Sequence, residues 1–270
     1  MLRTALVTGA SAGLGRELVR QLVRDRKMTV LATARRADRL EELVRDLPGG
    51  RVQVLAGDLA DPGFRERLWL WAEETSGGLD LLVNNAGIGH YAKFATQDPA
   101  IVRQIVEVNL MALIDLTQRA LRHLKPRGSG QILQIASLLG FMGLPYSTVY
   151  VATKHAVIGL VRSLRYELRG SGIRVWAACP GRTESEFYQV ALDSDGQPGS
   201  SPRAAPTDRV VRTIVRGLDR RCAFLVPDPT GKALAWLSHW LPGPFNWTME
   251  RWSADYFARE IAAARTRPPR

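Results

Sequence analysis

The chain has 270 residues, of which 46% are hydrophobic and 23% are charged, and its formal net charge is +11. This length and composition fit one α/β domain with a substantial core. The arginines are scattered, with no dense basic block interleaved with aromatics, so the charge indicates a solvated basic surface rather than a nucleic-acid partner.

Six short apolar runs predict buried strands, at residues 4–9, 29–34, 52–58, 79–87, 130–137 and 173–181. Segments of helical period separate them, including one from Pro99, after the cap Asp98, to about Leu124. Strands buried on both faces and separated by helices are typical of a parallel sheet with right-handed crossovers. We predict a doubly wound (Rossmann) α/β fold in a single domain, residues 1–225, with a Trp-rich C-terminal extension, residues 226–270.

The first predicted strand runs directly into the turn "GASAGLG" at residues 9–15, and a helix follows. Glycines there allow a tight turn, close approach of the backbone to a pyrophosphate, and close packing of the helix on the strand. The helix N-terminus adds free N–H groups and the positive end of the helix dipole. The predicted dinucleotide site therefore includes Gly9, Ser11, Ala12, Gly13, Leu14 and Gly15, and a purely structural turn is the alternative.

The end of the second strand indicates which dinucleotide binds. An acidic residue there would bind the ribose hydroxyls and favour NAD(H), but the chain has Arg35 and Arg36 after Ala34. Guanidinium groups suit a 2′-phosphate by charge and by fork geometry. We therefore predict NADP(H) as the cofactor. The alternatives are that NAD(H) binds, and that the two arginines are only charges on the surface. Asp58, at the end of the third strand, is placed to reach the adenine amino group, and its neighbour Leu59 belongs to the same predicted site.

Tyr150 and Lys154 stand one helical turn apart, so their side chains share one face of a helix. A free tyrosine has a pKa near 10, and a nearby ammonium stabilises the phenolate and lowers that pKa toward the working pH. The pair therefore predicts a tyrosine general acid and base tuned by lysine. Ser137, at the end of the fifth strand, is placed to hydrogen-bond a substrate oxygen. Asn109 is an unusual polar residue within an apolar helical stretch.

Together these motifs resemble the short-chain dehydrogenase/reductase family, in its compact branch, over about residues 3–225. In chain order the matching motifs are "TGASAGLG" (8–15), "NNAG" (84–87), Asn109 in "VEVNLMA", Ser137 in "IASLLG", Tyr150-x-x-x-Lys154, and "PG" (180–181). The chain departs from the family pattern at Ser185, where a threonine is common. Thr183 lies nearby, so a hydroxyl is retained.

The resemblance implies a catalytic set of Asn109, Ser137, Tyr150 and Lys154. Asn109 would hold a water that links Lys154 to solvent, and Lys154 would also bridge to the ribose hydroxyls. Further cofactor contacts are implied for Asn84, Ala86, Gly87, Tyr150, Lys154, Pro180, Gly181 and Thr183. The resemblance also implies a homodimer or homotetramer that pairs through the helices bracketing Asn109 and Tyr150.

The predicted function is an NADP(H)-dependent oxidoreductase that interconverts a carbonyl and a secondary alcohol on a small lipophilic molecule. Pocket walls are expected from residues 87–94, from residues 138–146 and from a substrate flap at 186–208. The apolar side chains expected there are Phe141, Met142, Leu144, Tyr146, Phe187 and Tyr188. A 3-oxoacyl-thioester reductase is an alternative within the enzyme class, and a non-catalytic NADP(H) sensor or scaffold is an alternative outside it.

Residues 231–257 carry four of the seven tryptophans and are expected to pack over the domain or subunit edge. The alternative is a helix that lies on a membrane surface. The two cysteines are too far apart in sequence, and the four histidines too irregularly spaced, to predict a disulfide framework or a metal site. Neither a targeting segment nor a run of roughly 18 apolar residues is visible. We expect a cytoplasmic protein, with peripheral membrane attachment as the alternative.

Overall fold

The computed structural model describes residues 2–47, 49–184 and 204–252 of the protein. Within these ranges, seven parallel strands form one sheet in the order β3-β2-β1-β4-β5-β6-β7. The strands are β1 (Thr4–Thr8), β2 (Thr29–Ala34), β3 (Val52–Ala56), β4 (Leu81–Asn84), β5 (Gly130–Ile135), β6 (Ile173–Ala178) and β7 (Phe224–Leu225). The strand order reverses at β1, which pairs with β2 on one side and with β4 on the other. This confirms the predicted doubly wound parallel fold in a single domain.

Helices cover both faces of the sheet. Their bounds are α1 (Gly13–Arg24), α2 (Ala37–Arg45), α3 (Pro62–Ser76), α4 (Pro99–Val106), α5 (Ala112–Leu124), α6 (Thr148–Glu167), α7 (Thr207–Gly217) and α8 (Pro229–Trp240). In β1, Ala5 and Val7 face the core shared with α1, α2 and α7, whereas Leu6 faces the core shared with α3, α5 and α6. Side chains alternate along a strand, so burial on both faces explains why the strands read as continuous apolar runs.

Five of the six predicted strands extend one to three residues too far at their carboxyl ends. The sequence predicts ends at residues 9, 58, 87, 137 and 181, whereas the observed strands end at Thr8, Ala56, Asn84, Ile135 and Ala178. The small and apolar residues that follow each strand continue its composition but leave the hydrogen-bonded ladder. They form the loops at the carboxyl edge of the sheet, where a ligand can reach their backbone groups.

The predicted helix from Pro99 to Leu124 contains a change of helical type. Asp98 caps it as predicted, because its side chain accepts the N–H of Ala100 at 2.8 Å. Between α4 and α5, residues Glu107–Met111 form a π-helical turn. One-turn π segments insert an extra residue and often mark functional sites. Asn109 lies in this turn.

Two features differ from the prediction or lie outside the described residues. The two-residue strand β7 at the sheet edge was not predicted, because Phe224–Leu225 is too short to show a period. Ser185 and most of the predicted flap at 186–208 lie outside the described residues. The boundary predicted at residue 225 falls at the end of β7, where the chain leaves the sheet for α8.

Candidate active site

A cleft opens at the carboxyl edge of the sheet, beside the neighbouring strands β1 and β4. After β1 the chain enters α1 on one face of the sheet, and after β4 it leads toward α5 on the other face. Ligands of open α/β sheets bind at such a reversal of strand order. Eighteen predicted site residues line this cleft: Gly9, Ser11, Ala12, Gly13, Leu14, Gly15, Arg35, Arg36, Asp58, Leu59, Ala86, Gly87, Ser137, Tyr150, Lys154, Pro180, Gly181 and Thr183.

At two positions of the glycine turn, Gly9 and Gly15, there is no room for a side chain. Gly9 has a φ of +68°, and a Cβ there would lie 2.8 Å from the Cα of Ala86. A Cβ on Gly15 would lie 2.2 Å from the carbonyl oxygen of Gly9. Among the described residues, no side chain caps the N-terminus of α1, whose N-cap is Ala12. The turn therefore presents bare backbone and an open helix N-terminus to the cleft, which fits a pyrophosphate.

Thr8 and Asn85 join the loop after β1 to the loop after β4. The Thr8 hydroxyl accepts the backbone N–H groups of Asn85 and Ala86, both at 3.0 Å. The Asn85 side chain donates to the carbonyl oxygens of Thr8 at 2.9 Å and Gly9 at 3.2 Å. These bonds fix the two loops against each other. Asn85 lines the cleft.

Asn84 is not brought into the cleft, which corrects its prediction as a cofactor contact. Its side chain is buried and donates to the Thr117 hydroxyl at 3.1 Å and the Leu113 carbonyl at 3.4 Å, both on α5. Successive residues of a strand face opposite sides, so only one asparagine of "NNAG" can face the ligand. Because the side chain of Asn84, the last residue of β4, faces α5, the next residue, Asn85, is the one that faces the cleft.

Two arginines follow β2 at the adenosine end of the cleft. Arg35 is exposed, and Arg36, partly exposed, donates to the Ser11 hydroxyl from Nε at 3.4 Å and from Nη2 at 3.3 Å. Ser11 belongs to the glycine turn, so this contact places a guanidinium beside the predicted phosphate site. Asp58 is the one acidic residue among the described residues that line the cleft. Its Oδ1 accepts the N–H of Ala60 at 2.9 Å.

Lys154 lies almost fully buried beneath the cleft, with 4% of its surface exposed. Its Nζ donates to the carbonyl oxygen of Ile135 at 2.9 Å and lies 5.5 Å from the centre of the Tyr150 ring. Burial lowers the pKa of Lys154 from 10.5 to about 8, so the amine is still mainly charged at pH 7. Burial also raises the pKa of Cys179 to about 12, so a neutral thiol accompanies this ammonium. The lysine is therefore a fixed positive charge next to the phenol.

Ser137 follows the end of β5 and caps a short 3₁₀ turn, Leu138–Gly140. Its hydroxyl oxygen accepts the N–H of Leu139 at 3.1 Å. A hydroxyl that accepts one hydrogen bond can still donate its own proton. The N–H of Leu138 donates to the Pro180 carbonyl at 2.9 Å, which ties this turn to the loop after β6. Ser137, Tyr150 and Lys154 therefore line the same cleft.

Asn109 does not line the cleft but lies directly behind it. Its Oδ1 accepts the N–H of Ile88 at 2.8 Å, and its Nδ2 donates to the Ile88 carbonyl at 2.9 Å. A Cβ on Gly87 would lie 3.4 Å from Asn109 Oδ1 and 3.8 Å from Lys154 Nζ. Through Asn109, the π-helical turn therefore fixes the position of the loop after β4 relative to Lys154. In this structure the amide is a clamp on the backbone of Ile88.

The expected substrate walls are described only in part. Ile88 and Gly89, from the predicted stretch 87–94, line the cleft, whereas residues 138–146 do not, and Phe187 and Tyr188 lie outside the described residues. Phe141 instead packs edge-on against Phe224, with ring centres 5.7 Å apart. Tyr146 has a φ of +63°, and its carbonyl accepts the N–H of Ala92 at 3.0 Å. The stretches 138–146 and 87–94 thus brace each other.

The cleft also includes residues that the sequence did not single out: Ala34, Gly57, Asn85, Val108, Ile135 and Ala136. Most directly follow a strand or adjoin a predicted residue, so a shorter strand assignment would have found them. Gly57 is required by packing, because a Cβ there would lie 2.1 Å from the Phe64 ring.

In the described part of the chain, no group of three or more histidine, cysteine or acidic residues could hold a metal ion. No described helix is long and apolar enough to cross a membrane.

Known proteins match both the sequence and this fold. The family model for short chain dehydrogenases matches residues 3–195. A farnesol dehydrogenase from Aedes aegypti is 33% identical over 203 residues, which cover 72% of this chain and 82% of that protein. A short-chain dehydrogenase from Sphingobium yanoikuyae, solved in complex with NADPH, aligns with a TM-score of 0.79 at 29% identity and covers 92% of this chain and 96% of its own.

A second solved structure is described as a bulky-bulky ketone specific alcohol dehydrogenase from Comamonas testosteroni. It aligns with a TM-score of 0.74 at 26% identity and covers 100% of this chain and 96% of its own. The chain therefore belongs to the short-chain dehydrogenase/reductase family, whose members are oxidoreductases that act on small molecules with a nicotinamide cofactor.

Proposed function

We propose that this protein is an NADP(H)-dependent oxidoreductase that interconverts a carbonyl and a secondary alcohol on a lipophilic small molecule. The observation that supports this most directly is the convergence of Tyr150, buried Lys154 and Ser137 on a cleft floored by the glycine turn. Simple nucleotide binding requires no phenol paired with a buried amine. The family's nicotinamide cofactor, when bound, supplies or accepts a hydride.

The protein's own residues handle the proton and the developing charge. In the reducing direction, Tyr150 donates its phenolic proton to the substrate oxygen as the carbonyl carbon gains the hydride, which gives the alcohol and leaves a phenolate. Lys154 stabilises that phenolate by its charge, and Ser137 donates a hydrogen bond to the same substrate oxygen. Asn109 acts through the backbone of Ile88 and is a positioning residue. The oxidising direction reverses these transfers.

Preference for NADP(H) is supported by the charges at the end of β2. Arg35 and Arg36 line the cleft there, and no carboxylate follows the last residue of that strand, Ala34. The contact between Arg36 and Ser11 places a guanidinium beside the phosphate turn. A 2′-phosphate would add charge-assisted hydrogen bonds at this point, whereas ribose hydroxyls alone would leave the cations without a partner in the cofactor.

Replacing both arginines, as Arg35→Ala/Arg36→Ala, is expected to raise KM for NADPH by about 10- to 100-fold, because hydrogen bonds to charged groups contribute about 1.5–3 kcal/mol. KM for NADH and kcat with a saturating ketone should change little. Initial rates followed by reduced-cofactor absorbance give both quantities. Arg39→Ala is the matched control, since Arg39 lies on α2, pairs with Glu42 and does not line the cleft. A double variant that still prefers NADPH as strongly as the wild type would rule out these arginines as the selector.

A lipophilic substrate is supported by the apolar lining residues Ile88, Val108 and Ile135. It is also supported by the similarity to a farnesol dehydrogenase and to a bulky-bulky ketone specific alcohol dehydrogenase. Across a series of ketones of growing alkyl length, we expect kcat/KM to rise by roughly fourfold per methylene that becomes buried. The series is measured with NADPH at fixed enzyme concentration. Preference for short, charged hydroxy acids over long ketones would contradict this substrate class.

We also propose that the chain forms a homodimer or homotetramer through the helices that bracket Asn109 and Tyr150. Exposed apolar side chains on these helices support the proposal: Met111 beside α5 is 46% exposed, and Tyr166 on α6 is 80% exposed. A subunit interface over these helices would cover both side chains.

A further inference from the structure

The apolar stripe of α8 faces outward. Its side chains follow the helical spacing i, i+3, i+4, i+7 and i+8, and all five are exposed: Ala233, Trp236, Leu237, Trp240 and Leu241. A surface helix normally turns such a stripe toward the core. Here the inner side is formed by other residues, with Gly231 buried and Ala235 packed against the core. The helix is therefore apolar on both sides, and its larger side chains point away from the domain.

A second helical segment with exposed tryptophans follows α8. Residues 242–252 are also helical, and the N–H of Phe245 donates to the carbonyl of Leu241, which joins this segment to α8. We call the exposed aromatic part of both segments the tryptophan surface; it consists of Trp236, Trp240, Trp247 and Trp252, whose exposed fractions are 57%, 64%, 57% and 56%. Four tryptophans each more than half exposed form a feature that monomeric soluble proteins rarely show without a binding role.

Cations accompany the tryptophan surface. The guanidinium of Arg251 lies 4.4 Å from the Trp247 ring centre, and Lys232 is exposed in the first turn of α8. Of the nearby acids, Asp228 is engaged as the N-cap of α8, and Glu250 is exposed beside Arg251. The whole chain carries a formal charge of +11. Tryptophan and basic side chains together suit the headgroup level of a bilayer that contains anionic lipids.

Helix α8, which carries Trp236 and Trp240, begins next to the cleft. Helix α8 leaves the carboxyl end of β7, the same edge of the sheet on which the cleft opens. A Cβ on Gly181, which lines the cleft, would lie 3.3 Å from Asp228 Oδ2, at the start of α8. A bilayer that touches α8 is therefore close to the side of the molecule where substrate must enter.

We propose that the tryptophan surface docks the protein on an anionic phospholipid bilayer, from which lipophilic substrates reach the cleft. The statement about substrate delivery rests on the proposed function, whereas docking itself does not. A second copy of the chain is a less suitable occupant. A two-fold interface would place each patch against itself and would bring together two copies that each carry a formal charge of +11, which repel one another.

The test is sedimentation of the full chain with vesicles of phosphatidylcholine, with and without phosphatidylglycerol. We expect binding to vesicles that contain phosphatidylglycerol, and weakening by about tenfold or more on removal of the anionic lipid or in Trp236→Ala/Trp240→Ala. Brominated lipids should quench tryptophan fluorescence of the wild type, a readout that needs no variant. Leu70→Ala, which removes an exposed apolar side chain on α3, is the control and should bind as the wild type does.

Two outcomes overturn docking: no binding to anionic vesicles, or equal binding of the double variant. Absence of vesicle binding together with a tryptophan-dependent change in oligomeric state would assign the surface to a second copy. Both tryptophans lie outside the cleft, so turnover of a water-soluble ketone should match the wild type within about twofold. If the wild type binds vesicles but turns over no carbonyl, the proposed function fails while docking stands. If the wild type turns over a carbonyl but does not bind vesicles, docking fails while the proposed function stands.

Discussion

Tyr150→Phe is expected to lower kcat for carbonyl reduction by about 10³-fold, because general acid catalysis by a positioned side chain contributes about 10²–10⁴-fold. Phenylalanine keeps the ring that lies 5.5 Å from Lys154 Nζ and removes only the proton donor. The Kd of NADPH should therefore stay within a few-fold of the wild type. The residual rate would come from the positioned cofactor and from the hydrogen bond that Ser137 donates.

The measurement combines initial rates on a ketone with a separate titration of NADPH binding. Tyr166→Phe is a matched control on the same helix, since Tyr166 is 80% exposed and lies four helical turns away. Loss of activity together with loss of NADPH binding would mean that the phenol is structural. Activity within tenfold of the wild type would remove Tyr150 as the acid. A wild type that binds NADPH yet reduces no carbonyl would favour the sensor or scaffold alternative.

The parts of the site that the sequence predicted are those set by short segments of the chain. The glycine turn, the arginines after β2 and the Tyr150–Lys154 pair each depend on spacing within one strand–turn or one helix, and the structure brings all of them to one cleft. Parallel strands end at a common edge, so residues that follow different strands meet even though they are far apart in sequence.

The parts that the sequence did not predict depend on contacts between distant segments. Whether Asn84 or Asn85 faces the ligand depends on where β4 ends, and this is fixed by pairing with β1 and by the bonds from Thr8. The clamp from Asn109 to Ile88 depends on a π-helical turn whose sequence reads as ordinary helix. The outward stripe of α8 is a further case, since periodicity gives the faces of a helix but not which face meets the domain.

Lys154→Met is expected to have two opposite effects, a loss of activity and a gain in stability at neutral pH. Removing the charge that stabilises the Tyr150 phenolate should lower kcat by about 10²-fold or more. The free energy of unfolding of the cofactor-free protein should rise, because burial lowers the pKa of Lys154 from 10.5 to about 8. Burying the charged amine at pH 7 costs up to about 3 kcal/mol for such a pKa difference, offset in part by its bond to the Ile135 carbonyl.

The sign of the pH dependence follows from proton binding in the two states. Between about pH 8 and pH 10.5 the unfolded chain holds a proton on Lys154 that the folded protein has released, so stability rises with pH across this window. Below about pH 8 both states are protonated and the full cost of burial applies. The stability advantage of Lys154→Met should therefore be largest at pH 7 and should shrink as the pH approaches 10.5.

Urea unfolding of the wild type and the variant at pH 7 and pH 10 measures this difference directly. Lys125→Met serves as the control, since that amine is 57% exposed and pairs only loosely with Glu167 at 3.8 Å; its effect should stay within about 0.5 kcal/mol at both pH values. A Lys154→Met protein that is less stable at pH 7, or whose advantage does not change with pH, would contradict the buried charge. A stabilised and inactive variant would instead show that the fold tolerates an unfavourable buried ammonium at the one position where the chemistry of Tyr150 needs it.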